Sequence, residues 1–341
     1  MATLLFGHIS SGKTSLLLSG LHNFNSITDN LSVRFRCETQ GCSENPYNRF
    51  VDALNGGERD TFFPYSSLQQ NKITIVLSTH QNNIEVSYLS YKDESSNELS
   101  NADFLDIECN QILYLIDGNY LRNAYLNDNP KDFLKEIFKQ DFSLMSNIQS
   151  IDKVEYLNIF VTKSDVPLCD YRLMGLLKKE TIEDDIIAIL KEHSLFEQCD
   201  TTISFVTLGK KLVKQATISS YNPYHTEYVY LLPMLNQVWW HCKRMSGIIS
   251  DKLQKIEEIR QSSTRSKTDR LRLEAQVNDL LMPNLCKNIE CLELLLNKIT
   301  RKKTIYIKGT KSTFEEYYDL STLIGSEANV PDYIKRMSLT I

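Results

Sequence analysis

The chain has 341 residues, 42% of them apolar and 24% charged, with a formal charge of −5. That length holds one large α/β domain plus an appendage and buries a sizeable core, and the negative balance argues against indiscriminate nucleic-acid binding. No stretch approaches the ~18 uninterrupted apolar residues needed to span a bilayer, so the chain reads as soluble. The eight cysteines stand without the Cys-x2-Cys spacing of a zinc site and read as reduced thiols of a cytoplasmic protein.

A short apolar strand over 2–6 runs into Gly7-His8-Ile9-Ser10-Ser11-Gly12-Lys13-Thr14, then into a helix opening with Ser15. The spacing Gly-x4-Gly-Lys-Thr between strand and helix marks a phosphate-binding loop. Backbone N–H groups from Gly7 through Ser15, with Ser10, Ser11 and Gly12 between them, would curl around a phosphate at the positive end of the helix. Lys13 would reach the β- and γ-phosphates, and Thr14 would ligate Mg²⁺. With the loop so close to the first residue, no cleavable targeting segment is expected.

Residues 22–70 are polar and turn-rich, with Asn45-Pro46 and Asn55-Gly56-Gly57 as breakers, and one short helix is expected over 47–54. Strands over 73–78 and 84–89 flank a hairpin turn. The run 111–116 is apolar on both faces and ends at Asp117-Gly118, the pattern of a central strand in a covered sheet. A helix over 132–142, a strand over 156–161, a helix over 180–193 and a strand over 202–206 follow. Strands alternating with helices predict an α/β fold with a doubly wound, mostly parallel sheet. A helix over 227–242, with Trp239 and Trp240 as core-facing bulk, closes a domain expected to span 1–245.

Beyond Gly247, apolar residues recur at helical spacing on both sides of Pro283. They predict a pair of antiparallel helices over 246–303, which either project as an arm or pack back on the domain. The polar run 261–269 argues against an unbroken coiled coil. Residues 251–310 carry 13 Lys/Arg against 8 Asp/Glu, a basic face suited to a protein partner or simply to solvent. The tail from 304 offers one strand-like piece over 304–308.

Thr162-Lys163-Ser164-Asp165 stands immediately after the buried strand. A carboxylate at Asp165 can accept parallel hydrogen bonds from guanine N1–H and its 2-amino group, which adenine does not offer. Lys163 would lay its aliphatic stem across the base. In this order behind the phosphate loop, the chain resembles a Ras-like P-loop GTPase of the translation-factor-related class over residues 1–245. The likeness extends to bacterial Ras-like proteins, including the double-GTPase group. The resemblance implies GTP or GDP with Mg²⁺, hydrolysis of GTP, and a base-supporting loop at Thr207-Leu208-Gly209.

One departure is visible. The class carries Asp-x-x-Gly after its third strand, whereas here Ser90 stands for the Asp and Asp93 for the Gly. Glu94 then takes the place of the residue that orients the attacking water, where it is either a base or a loop charge. Thr61, with Ser66 and Ser67 behind it, is the candidate for the threonine that closes over Mg²⁺, or else a spare loop residue. Three readings follow: a guanine-nucleotide switch and slow GTPase acting on a protein partner through its helical extension; a non-catalytic nucleotide-holding scaffold; and an ATPase whose Asp117 supports the metal.

Overall fold

The computed structural model describes residues 2–7, 12–28, 34–39, 54, 71–78, 83–90, 109–127, 129–146, 153–209, 221–261, 267–299 and 303–323. Within these, nine strands form one sheet: β1 (Ala2–Gly7), β2 (Arg34–Thr39), β3 (Asn71–Ser78), β4 (Asn83–Ser90), β5 (Gln111–Asp117), β6 (Tyr156–Thr162), β7 (Asp200–Phe205), β8 (Thr304–Ile307) and β9 (Thr310–Thr313). Their order across the sheet is β2-β3-β4-β1-β5-β6-β7-β8-β9. The five strands β4, β1, β5, β6 and β7 are mutually parallel, while β2, β3 and β8 pair antiparallel to their neighbours. The molecule is thus an α/β protein with a largely parallel central sheet and a long C-terminal helix.

The continuous apolar runs become β5 and β6, buried at every position, because a parallel strand covered on both faces has no solvent side to keep polar. One face of the sheet carries Leu4, Phe6, Ile112, Tyr114, Ile116, Leu157, Ile159 and Val161. Against it pack α2 (Gly118–Tyr125), α3 (Pro130–Ser146), α5 (Lys179–Leu190) and α6 (Ser194–Gln198), through residues such as Leu121, Phe138, Phe142, Ile186 and Phe196. A polar pair lies inside this layer, where the buried Tyr114 hydroxyl donates to the buried Asp141 carboxylate. Burial, then the charge of Asp141, raises the Tyr114 pKa well above its ordinary value.

Gln111 points to the opposite face, where its Nε2 donates to the Pro233 carbonyl at 3.1 Å. There α1 (Lys13–Thr28) buries Leu16, Leu17, Leu21 and Phe24 and meets the start of α7 (Tyr228–Gln261). Tyr230 donates to the Leu17 carbonyl at 2.9 Å, and Gly20 allows the approach: a Cβ there would lie 2.5 Å from Val229 Cγ1 and 2.6 Å from the Thr226 carbonyl oxygen.

Two compact units divide the chain. The first comprises residues 1–233 and 304–312, the second 234–303 and 313–341. A domain end near 245 was expected; α7 instead runs unbroken through 245 and Gly247, 34 residues in all, and the division falls at Pro233. One glycine costs a helix about 1 kcal/mol, less than burial of Ile249 and Ile256 beyond it contributes. The strand expected in the tail becomes β8, which pairs with β7 at Thr201↔Tyr306 and so belongs to the first unit's sheet. Lys308 and Gly309, with φ of 46° and 84°, turn β8 into β9, the twist-compatible two-residue hairpin geometry.

In the second unit, α8 (Lys267–Ala275), a π-helical turn over Gln276–Leu281 and α9 (Met282–Leu296) follow one another. Lys252 Nζ donates to Gln276 Oε1 at 2.7 Å and Arg260 pairs with Glu274 at 3.1 Å, so the second half of α7 and the α8 segment run antiparallel; the break expected at Pro283 is instead continuous helix from Lys267 to Leu296, with Pro283 in the first turn of α9, where a missing N–H is tolerated. Trp239 packs on Tyr318 at 5.5 Å between ring centroids, within this unit, and Trp240 is half-exposed. Trp239 therefore supplies bulk within the helical unit. Of the helix expected over 47–54, only Leu54 is described, and it is helical.

Candidate functional site

Because β4, β1, β5, β6 and β7 are parallel, their C-terminal ends lie along one edge of the sheet. β1 stands between β4 and β5, so the chain leaves it in a sheet that extends to both sides, the position at which open α/β sheets form a ligand crevice. Gly7 ends β1, Ser90 ends β4 and lies in register with Leu5, and Asp117 and Thr162 end β5 and β6 in register with one another.

At the β1 end, Gly12 adopts φ +84° with open space where a Cβ would stand, a conformation that favours glycine on backbone grounds alone. Its carbonyl accepts from Leu16 N at 2.8 Å and starts α1. The first turn of α1 contains no acidic residue, so its positive dipole end is not countered from within the helix. Lys13 Nζ donates to the Gly7 carbonyl at 2.7 Å, joining the two ends of the loop. Ser15 is half-buried. Ser10 and Ser11 lie outside the described residues, as does the side chain of Thr14, whose backbone is the second residue of α1.

At the β6 end, four backbone and side-chain links fix the loop. Thr162 Oγ1 donates to the Ile116 carbonyl at 3.2 Å, and Ser164 N donates to the Val206 carbonyl at 3.1 Å. Lys163 takes a left-handed backbone, φ 48°, and its Nζ pairs with Asp117 Oδ2 at 2.6 Å. Asp117 is buried, with its Oδ1 accepting from Asn119 N at 2.8 Å and Asn119 Nδ2 at 3.1 Å, so one carboxylate caps α2 and holds the lysine. Asp165 opens the short α4 (Asp165–Leu168), and its Oδ1 accepts from Thr207 Oγ1 at 2.6 Å. Thr207 Oγ1 accepts in turn from Gly209 N at 3.2 Å. The backbones of Thr207 and Tyr224 pair in both directions, at 2.9 and 3.3 Å, and Leu208 O accepts from Asn222 N at 2.9 Å.

Residues 162–165 and 207–209, far apart in sequence, therefore form one polar rim. A second tie lies below it: Asp170, just past α4, pairs with Arg122 of α2 and with Arg172. Hydrogen bonds from Arg172 and then Arg122 hold the Asp170 carboxyl well below the usual carboxylate range. Sequence reasoning picked out Asp117 and Lys163 separately but not their pairing, nor the role of Gly118, whose Cβ would stand 2.3 Å from the Lys163 carbonyl oxygen. The Asp-Gly at a strand end was the signal, and it needed a partner that only the register of β5 against β6 supplies.

Thr61, Ser66, Ser67, Asp93 and Glu94 lie outside the described residues. Among the described residues no group of three His, Cys, Asp or Glu side chains is placed to hold a metal ion, and no helix is long and apolar enough to cross a membrane. Comparison with protein-family models and with curated proteins finds no match for this chain.

Proposed function

We propose that the chain is a guanine-nucleotide-binding protein of the Ras-like P-loop kind, a switch or slow GTPase working with Mg²⁺ in the cytoplasm. The observation that carries this reading is the placement of the Gly7–Lys13 contact and the Asp165–Thr207 rim on the same edge of one parallel sheet. β1 and β6 are separated only by β5, about 10 Å at ordinary strand spacing, a span that a nucleotide bridges with phosphates at one end and base at the other. Gly7, Gly12, Lys13 and the start of α1 would bind the phosphates, with Ser10, Ser11, Thr14 and Ser15 completing the loop; Thr162, Lys163, Asp165, Thr207 and Leu208 would bind the base. The ATPase reading is less favoured, because the Asp117 carboxylate that would support a metal is taken up by Lys163 and Asn119.

Ser90, at the end of β4 beside β1, supports a weak or absent hydrolytic step, since a serine brings no negative charge to a Mg²⁺-bound water. The helical unit, with Ile248, Leu271 and Leu280 exposed, is assigned to a protein partner. The test is titration of fluorescent guanine and adenine nucleotides against the wild type and Asp165→Asn. GTP is expected to bind in preference to ATP, and the variant to lose about 2–4 kcal/mol for GTP, as for breaking a buried charge-assisted pair, while gaining xanthosine triphosphate. Equal binding of ATP and GTP by the wild type would refute guanine recognition.

A further inference from the structure

We infer that Asp117 is a positioning residue for base recognition: it holds the Lys163 side chain extended from the β6 loop, so that the lysine stem is in place before the base arrives. The inference rests on the guanine reading above and adds to it a residue at the end of a different strand.

Lysine is a poor fixed surface by itself, because four rotatable bonds must be ordered before its methylenes can cover a ring. Here both ends of the side chain are tied. The Cα sits in a left-handed turn at φ 48°, and the ammonium lies 2.6 Å from Asp117 Oδ2. Asp117 is itself immobilised, buried to 3% exposure at the end of a fully buried strand and bonded through Oδ1 to Asn119 N and Nδ2. Gly118 lets the two loops approach closely enough for the pair to form, since a side chain there would strike the Lys163 and Thr162 carbonyl oxygens. Asp165 in turn accepts from Thr207, and its carboxylate is the group that would read the base edge. Asp117 thus sets affinity through Lys163, while selectivity among purines stays with Asp165.

The experiment is a double-mutant cycle on nucleotide affinity with Asp117→Asn, Lys163→Asn and the pair, using fluorescent GDP and GTP. Asparagine at 163 tolerates the left-handed backbone, and asparagine at 117 retains an acceptor for the cap, so each variant keeps the local geometry. D117N should lower affinity about tenfold, the upper range for leaving one long side chain to be ordered on binding, equally for GDP and GTP and without changing the preference for guanosine over inosine nucleotides. In the K163N background D117N should have no further effect. Full additivity of the two losses, an unchanged affinity in D117N, or an altered Mg²⁺ requirement for GTP would overturn the inference. Failure of the wild type to bind guanine nucleotide would overturn the guanine reading itself, and this inference with it.

Discussion

Gly118→Ala perturbs the contact on which the base-side loop depends. The added Cβ would stand 2.3 Å from the Lys163 carbonyl oxygen, 2.7 Å from that of Thr162 and 2.9 Å from the Lys163 carbonyl carbon. All three are backbone atoms of a loop tied on both sides by Ser164 N to Val206 O and Lys163 to Asp117, so no flexible side chain can swing away. Restoring ordinary contact requires the end of β6 to move from β5 by about 1 Å in an interior packed at crystal density. Overpacking of this kind costs about 1–3 kcal/mol, and a backbone clash belongs at the top of that range. Alanine's helix preference over glycine returns about 1 kcal/mol at most, leaving a net loss of about 2 kcal/mol. In urea, with a slope near 3 kcal/mol/M for a domain this size, the unfolding midpoint should fall by roughly 0.7 M. A midpoint that stays the same or rises would refute the close packing of these two loops.

Three further outcomes are expected. Lys13→Ala should abolish tight triphosphate binding, because the ammonium that now bridges to Gly7 O is the cation placed at the mouth of α1; unchanged affinity in a fluorescent-nucleotide titration would sink the phosphate-loop assignment. Hydrolysis by the isolated protein should run at or below about 10⁻⁴ s⁻¹, since Ser90 supplies no charge at the end of β4, and rapid single-turnover phosphate release would show that another group does this work. Burial pushes the Cys199 and Cys242 thiols up to about 12 and Cys291 to about 11. The unfolded chain ionises first, so the stability these neutral thiols contribute is complete below about pH 9 and lost as pH rises toward 12. The urea midpoint should therefore fall between pH 8 and 10.5 less steeply in a Cys199→Ala/Cys242→Ala/Cys291→Ala variant than in the wild type; identical slopes would contradict it.

Local pattern alone determined the central strands. The runs at 111–116 and 156–161 announce themselves because a strand covered on both faces is mostly apolar, and Thr162-Lys163-Ser164-Asp165 stands at a strand end where the chain must turn. The hairpin of β3 and β4 was likewise legible, its register closing at Ser78↔Asn83. What the sequence left open depended on contacts between distant residues. Nothing in 304–307 says that Tyr306 will pair with Thr201 and extend the sheet, since an edge strand's hydrogen bonds are satisfied by whichever edge it reaches. The helix break expected near 245 failed because a single glycine is a weak local signal, overridden by the apolar residues on either side of it. In the site, the pairing of Asp117 with Lys163 and of Asp165 with Thr207 was decided by the parallel register of β5, β6 and β7, which brings three strand ends to one edge and lets polar groups more than 40 residues apart meet.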